Sequence, residues 1–140
     1  MLFSPQDETE IVKAIKTAEA KSTGEIRVHL DQNLKGDPLA IAQDIFYKIG
    51  MPDTKDRNGV LFYVSENKRK IAIIGDENIH NYVKQSFWNE LIKEITHSFK
   101  EEKYKDGLVA AILKTGTQLK KFFPVDGKTN ENELPNEISR

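Results

Sequence analysis

The sequence contains no cysteine, which removes a disulfide framework, a thiolate nucleophile and sulfur-ligated zinc. Any metal ion would have to be held by oxygen or imidazole. No apolar run approaches the ~20 residues that a membrane-spanning helix needs. The first residues, Met1 to Glu8, show neither the basic region nor the apolar stretch of a secretory leader. No membrane insertion is therefore expected, and the expected compartment is the cytoplasm, with nothing removed. An excess of one charge is missing too: 21 Lys+Arg stand against 22 Asp+Glu, a formal net charge of -1. The lysines are spread along the chain, so nucleic acid is not an expected partner. There is no G-x-G-x-x-G or Walker pattern, and His29, His80 and His97 never fall at i, i+4 spacing. What remains is 140 residues, 38% hydrophobic and 31% charged, enough apolar material for one ordinary domain.

Local patterns give the element order. Ser4-Pro5 with Asp7 and Glu8 opens a helix whose stripe is Ile11, Ile15 and Ala18, and Gly24 stops it. Glu25 to Asp31 alternates strictly, with Ile26, Val28 and Leu30 on one side, as a strand with one buried face does. Asp37-Pro38 caps a second helix that carries Leu39, Ala42, Ile45, Phe46 and Ile49 up to Gly50. Val60 to Val64 is continuously apolar, as a strand covered on both faces is. A turn over Ser65 to Arg69 then returns the chain through Ile71 to Ile74, making a hairpin. Helical spacing through Ile79 and Val83, through Phe87 to Phe99, and through Leu108 to Phe122 predicts three closing helices. Residues 1–124 read as one domain and 125–140 as a disordered polar tail. A crossover helix makes the first two strands parallel, and the hairpin adds an antiparallel third. The expected fold is α/β: a three-layer α/β/α sandwich with a small mixed sheet containing a central β-hairpin.

That topology gathers oxygen-bearing residues at one end of the sheet. Pairing Val64 with Lys70 sets Gly59 opposite Gly75 and Asn58 opposite Asp76, with Asp56 a diagonal neighbour and Glu77 next in sequence. Glu25 begins the first strand at the same end. Carboxylates so close repel unless a positive charge neutralises them, and a hard cation suits an Asp/Asn/carbonyl set. Calcium is the first expectation and magnesium the second. Gly59 and Gly75 would let backbone carbonyls approach the ion. The same residues admit a structural reading, in which Asp56 and Asn58 form a turn, Asp76 caps a helix and Arg57 pairs with a nearby acid. Thr54 to Gly59 is not an EF-hand loop, because Thr54 and Ser65 stand where its first Asp and closing Glu belong. Ser22-Thr23-Gly24 reads as a helix C-cap, and Lys68-Arg69-Lys70 as a solvated hairpin tip.

Taken together, a set of short stretches resembles the TPM domain family over about Glu10 to Phe123. They are Thr23-Gly24-Glu25-Ile26-Arg27-Val28, Gly50-Met51, and Thr54 leading into Arg57-Asn58-Gly59-Val60-Leu61-Phe62-Tyr63-Val64. They continue with Arg69-Lys70-Ile71-Ala72-Ile73-Ile74-Gly75-Asp76, Ile79-His80, Phe87-Trp88 and Tyr104-Lys105-Asp106-Gly107-Leu108. The resemblance implies an α/β/α sandwich, a divalent cation such as calcium held by acidic loop residues, and the phosphatase activity ascribed to some members. Carried over residue by residue, metal ligation falls first on Asp56 and Asp76, then on Asn58 and Glu77, and last on Asp106. The functional expectation is a calcium-binding interaction or regulatory module. A metal-dependent phosphatase is the alternative, with Asp56 or Asp76 holding the cation and Arg57 or Lys55 offsetting negative charge. The chain has neither a cysteine phosphatase loop nor a D-x-D-x-[TV] motif, so only direct metal-assisted attack would be open to it. A metal-independent scaffold for a protein partner, with Trp88 and Phe123 as contact residues, is the third reading.

Overall fold

Alternating and continuous apolar strands demand helices on both sides of a sheet, and the computed structural model, which describes residues 2–33, 35–125 and 134–140, has that arrangement. The order is α1 (Pro5–Glu19), β1 (Glu25–Asp31), α2 (Pro38–Lys48), a 3-10 turn (Met51–Asp53), β2 (Gly59–Ser65), β3 (Lys70–Gly75), α3 (Glu77–Lys100) and α4 (Tyr104–Phe122). The sheet order is β1-β2-β3, with β1 parallel and β3 antiparallel to the central β2. On one face Ile26, Val28, Leu30, Val60, Phe62, Val64 and Ile73 meet α1, α3 and α4 in the main core. On the other, Leu61, Tyr63 and Ala72 meet Ala42 and Phe46 of α2. Each fully buried side chain of this kind stabilises the fold by about 1.5–3 kcal/mol. The thick three-helix layer therefore carries most of the stability, and the α2 face is thin.

Helix starts follow the sequence signals. Ser4 and Asp7 form a reciprocal capping box, with Asp7 N donating to Ser4 Oγ and Ser4 N to Asp7 Oδ2, both at 3.0 Å. Asp37 Oδ2 accepts from Ala40 N at 3.1 Å to start α2, and Gly50, at φ 80°, turns the chain out of it.

The structure departs from the sequence reading in the hairpin register and adds detail at two further places. The hairpin ladder is offset by one residue: Ser65 pairs with Lys70 and Val60 with Gly75, so Gly59 O accepts from Asp76 N at 2.8 Å. Closing the turn at Ser65, whose Oγ holds Asn67 Oδ1 at 2.9 Å, sets this register. The expected separation between the Ile79–Val83 and Phe87–Phe99 helices is found at Lys84, where α3 kinks at φ 67° and ψ 170°, a region that side chains other than glycine's avoid. Of the stretch read as a polar tail, residues 126–133 lie outside the described residues, while within 134–140 Leu134 packs against Phe46, Met51 and Leu61 and residue 139 reaches β1. There Ser139 bridges His29 in parallel fashion, and Ile138 joins the main core.

Candidate functional site

The end of the sheet where β1 and β2 begin and β3 finishes is built by the loop before β2 and the first turn of α3. Arg57 sits at φ 50°, a left-handed conformation that reverses the loop. Asn78 then clamps the loop to α3: its side-chain nitrogen donates to Asp56 O at 2.8 Å and its backbone N to Arg57 O at 3.0 Å. The reversal points the Arg57 side chain at Asp76. Nε meets Oδ2 at 2.8 Å and Nη2 meets Oδ1 at 2.9 Å, a planar two-bond clasp on a carboxylate only 5% exposed. Asp76 Oδ1 also accepts from Glu77 N at 2.7 Å, capping α3. Arg57 Nη1 lies 3.4 Å from Glu77 Oε1. The hydrogen bond to Asp76 and its charge, with a smaller contribution from Glu77, hold the guanidinium above its ordinary pKa.

The sequence-predicted ligands are brought together in part. Asp56, Asn58, Asp76 and Glu77 share this rim. Asp106 does not: it pairs with Lys105 at 2.7 Å, which also reaches Glu10, and the neighbouring Tyr104 ring lies under Arg69 at the hairpin tip. β3 separates that tip from Asp76. Asn58 is fully buried. Its Nδ2 donates to Thr23 Oγ1 at 3.1 Å, while its Oδ1, like Thr54 Oγ1, has no hydrogen-bond partner among the described residues. The rim glycines serve packing. A Cβ on Gly75 would stand 2.4 Å from Trp88 Cζ2, and one on Gly59 would stand 2.9 Å from Met51 Cε. Trp88, a contact residue only on the scaffold reading, is buried there and donates from Nε1 to His80 Nδ1 at 3.0 Å. Phe123 packs against Tyr82. A shallow cavity of about 330 Å³ lies beside the clasp, between Ile74, Gly75 and Asp76 and the α2 residues Gln43, Phe46 and Tyr47.

Sequence reasoning missed one buried acid at this end. Glu19 closes α1 on the stripe of Ile11 and Ile15, and that i+4 spacing was the signal. It is 6% exposed, and its Oε2 accepts from Ile26 N at 2.6 Å. Burial first, then the nearby Glu25, pushes its pKa up to about 8 against the pull of the Ile26 bond.

The donor set is all oxygen and includes a buried acceptor with no partner, so its chemistry suits a hard cation. Its occupancy does not: Asp76 has both oxygens on Arg57. Among the described residues no group of three or more His, Asp or Glu side chains is disposed to hold an ion. The same residues can hold a cation only with Arg57 withdrawn.

Comparisons with known proteins place the chain. No curated protein matches it. Among solved structures, the BA42 protein from the psychrophilic bacterium Bizionia argentinensis is similar at 39% identity and a TM-score of 0.89, over 98% of this chain and 94% of that one. An N-terminal domain from P. gingivalis matches at 16% identity and a TM-score of 0.72, over 94% of this chain and 83% of that one. The N-terminal domain of cg2496 from Corynebacterium glutamicum matches at 15% identity and a TM-score of 0.66, over 99% of this chain and 84% of that one; these two likenesses speak for the fold alone. The sequence model of the TPM domain matches residues 1–118, and the chain belongs to the TPM domain family.

Proposed function

We propose that the rim is a divalent-cation binding site, calcium first and magnesium second, in which Arg57 is the resident counter-ion of Asp76. The observation that carries this reading is the two-bond clasp on a nearly buried carboxylate, with Glu77 alongside and the Asn58 Oδ1 acceptor close in sequence. A buried carboxylate needs a positive partner, and a guanidinium and a divalent cation compete for the same two oxygens. With Arg57 withdrawn, Asp76 and Glu77 would supply carboxylate oxygens, and Asp56 and Asn58 are the further donors on the rim. Because Asn78 ties the Asp56–Arg57 backbone to α3, exchange of the counter-ion would be felt along the loop before β2. That fits a cation-responsive interaction module better than a catalyst.

A phosphatase reading draws less from the geometry. Arg57 faces Asp76 and Glu77, both acids, so the rim offers a phosphate little cationic surface. Calorimetric titration separates the possibilities. The parent should bind calcium weakly, Arg57→Gln at least tenfold more tightly, and Asp76→Asn not at all. Binding by Asp76→Asn equal to the parent's would overturn the assignment.

A further inference from the structure

β1 is an edge strand, and an unprotected edge invites pairing with another chain. Among the described residues this edge is covered from within the chain at two points. Near its start, Ile26 N is taken by the Glu19 carboxyl. Near its end, residue 139 does the work of a neighbouring strand: Ser139 N donates to Val28 O and Leu30 N donates to Ser139 O, each at 2.9 Å. Residues opposite one another in paired strands share a face. Ser139 accordingly meets His29, with Oγ 2.9 Å from Nδ1, while Ile138 and Arg140 turn to the α1 side. There Ile138 joins the main core, and Arg140 pairs with Glu8. Glu137 adds its charge beside the buried Arg27. A trench of about 480 Å³ remains between this segment and α1, lined by Pro5, Glu8, Val12, Lys16, Ile138 and Arg140.

The segment's hold is narrow for the surface it closes, since the strand pairing is a single bridge. Its recognition elements are those of strand addition: main-chain hydrogen bonds for affinity, and alternate side chains in separate pockets for selection. We propose that the outer edge of β1 is a docking site for an extended segment of a partner protein, one carrying an apolar residue, a serine or threonine, and an arginine or lysine in succession. Residues 137–140 hold that site closed in cis. The apolar residue takes the place of Ile138, the hydroxyl meets His29, and the cation meets Glu8. A tethered occupant acts at an effective concentration on the order of millimolar, so it excludes weak competitors and yields to a partner that pairs with more of β1.

The test uses the full chain. Ser139→Pro with Arg140→Glu removes the strand N–H and the hydroxyl and opposes Glu8 with a like charge. The probe is a fluorescein-labelled peptide with the sequence of residues 134–140. In the parent, Leu30 N–H should exchange slowly and the peptide should bind weakly. In the double variant, Leu30 exchange should speed up at least tenfold, the peptide should bind at least tenfold more tightly, and its binding should restore slow exchange. Amides of Val60 to Val64 report that the sheet is intact, and Arg140→Glu alone, an exposed change, gives the same direction of effect if the double variant does not fold. Leu30 protection unchanged by the substitutions, or peptide binding that does not slow Leu30 exchange, would overturn the proposal. So would parent protection that rises with protein concentration, which would assign the edge to a second copy of the chain.

Discussion

Two acids at the same end of the sheet are buried to the same degree and meet opposite fates. Asp76 is 5% exposed and Glu19 is 6% exposed; each accepts a backbone N–H, from Glu77 and Ile26 respectively. They flank β2 on its two sides, Asp76 through β3 and Glu19 through the start of β1. Asp76 faces the Arg57 guanidinium, whereas Glu19 has Glu25 nearby, and its pKa is pushed up to about 8. Equal burial thus leaves the charge to be decided by the partner. One carboxyl is neutralised by a cation and the other, at neutral pH, by a proton, so the rim is less negative than its composition suggests.

The largest effect expected from this contrast is on the pH dependence of stability. Glu19 has its pKa raised from 4.5 to about 8 in the folded chain. Below pH 4.5 it is protonated in both states and costs nothing. As pH rises from there the unfolded chain ionises first, so stability falls until the folded pKa is reached and the loss then levels off. Between pH 5 and 8 that loss is on the order of 3 kcal/mol. Glu19→Gln mimics the protonated form and should remove this part of the slope, leaving the variant more stable than the parent at pH 8. Urea unfolding of both at several pH values checks it, and parallel profiles would break the contrast.

The second effect should have the opposite sign. Asp76→Ala deletes the α3 cap and strips Arg57 of its clasp, and loss of such a cap costs about 1–2 kcal/mol. At pH 8 the removal of one buried acid would then stabilise the chain while removal of the other destabilises it. A stabilising Asp76→Ala in the same urea series would show that the clasp does not offset the burial of Asp76.

Why one acid was legible in the sequence and the other was not is itself physical. Asp76 stands after an apolar strand and a glycine, where both a cap and a ligand belong, and the hairpin brings Arg57 to the same rim, where it reads as the partner of a nearby acid. Glu19 is a helix residue on an apolar stripe; the spacing gives its position but not that Ile26 N would occupy its oxygen. The sheet was legible because Ile26, Val28 and Leu30 alternate and Val60 to Val64 do not, which fixes one strand at the edge and one at the centre. The ladder offset was not, since nothing in Glu66 to Arg69 tells which pair closes the turn. The break at Lys84 was legible as the gap between the Ile79–Val83 and Phe87–Phe99 stretches, but the pairing of Ser139 with β1 was not, because a single bridge needs no periodicity.

The smallest effect concerns how much of Glu19's shift belongs to Glu25. Burial is the leading cause and Glu25 ranks last, behind the Ile26 hydrogen bond. A double-mutant cycle of Glu19→Gln and Glu25→Gln at pH 8 isolates their mutual term, because residues in one polar cluster are the ones whose effects fail to add. Relief of a like-charge contact makes each substitution less stabilising once the other is present, with a coupling expected below about 1 kcal/mol. A coupling of about 2 kcal/mol or more would mean that the two carboxyls share a proton, so the rim would hold a second pair as tightly joined as Arg57 and Asp76. A coupling near zero would leave burial, opposed by the Ile26 bond, as the whole cause of the shift, and Glu25 would drop out of the contrast between Glu19 and Asp76.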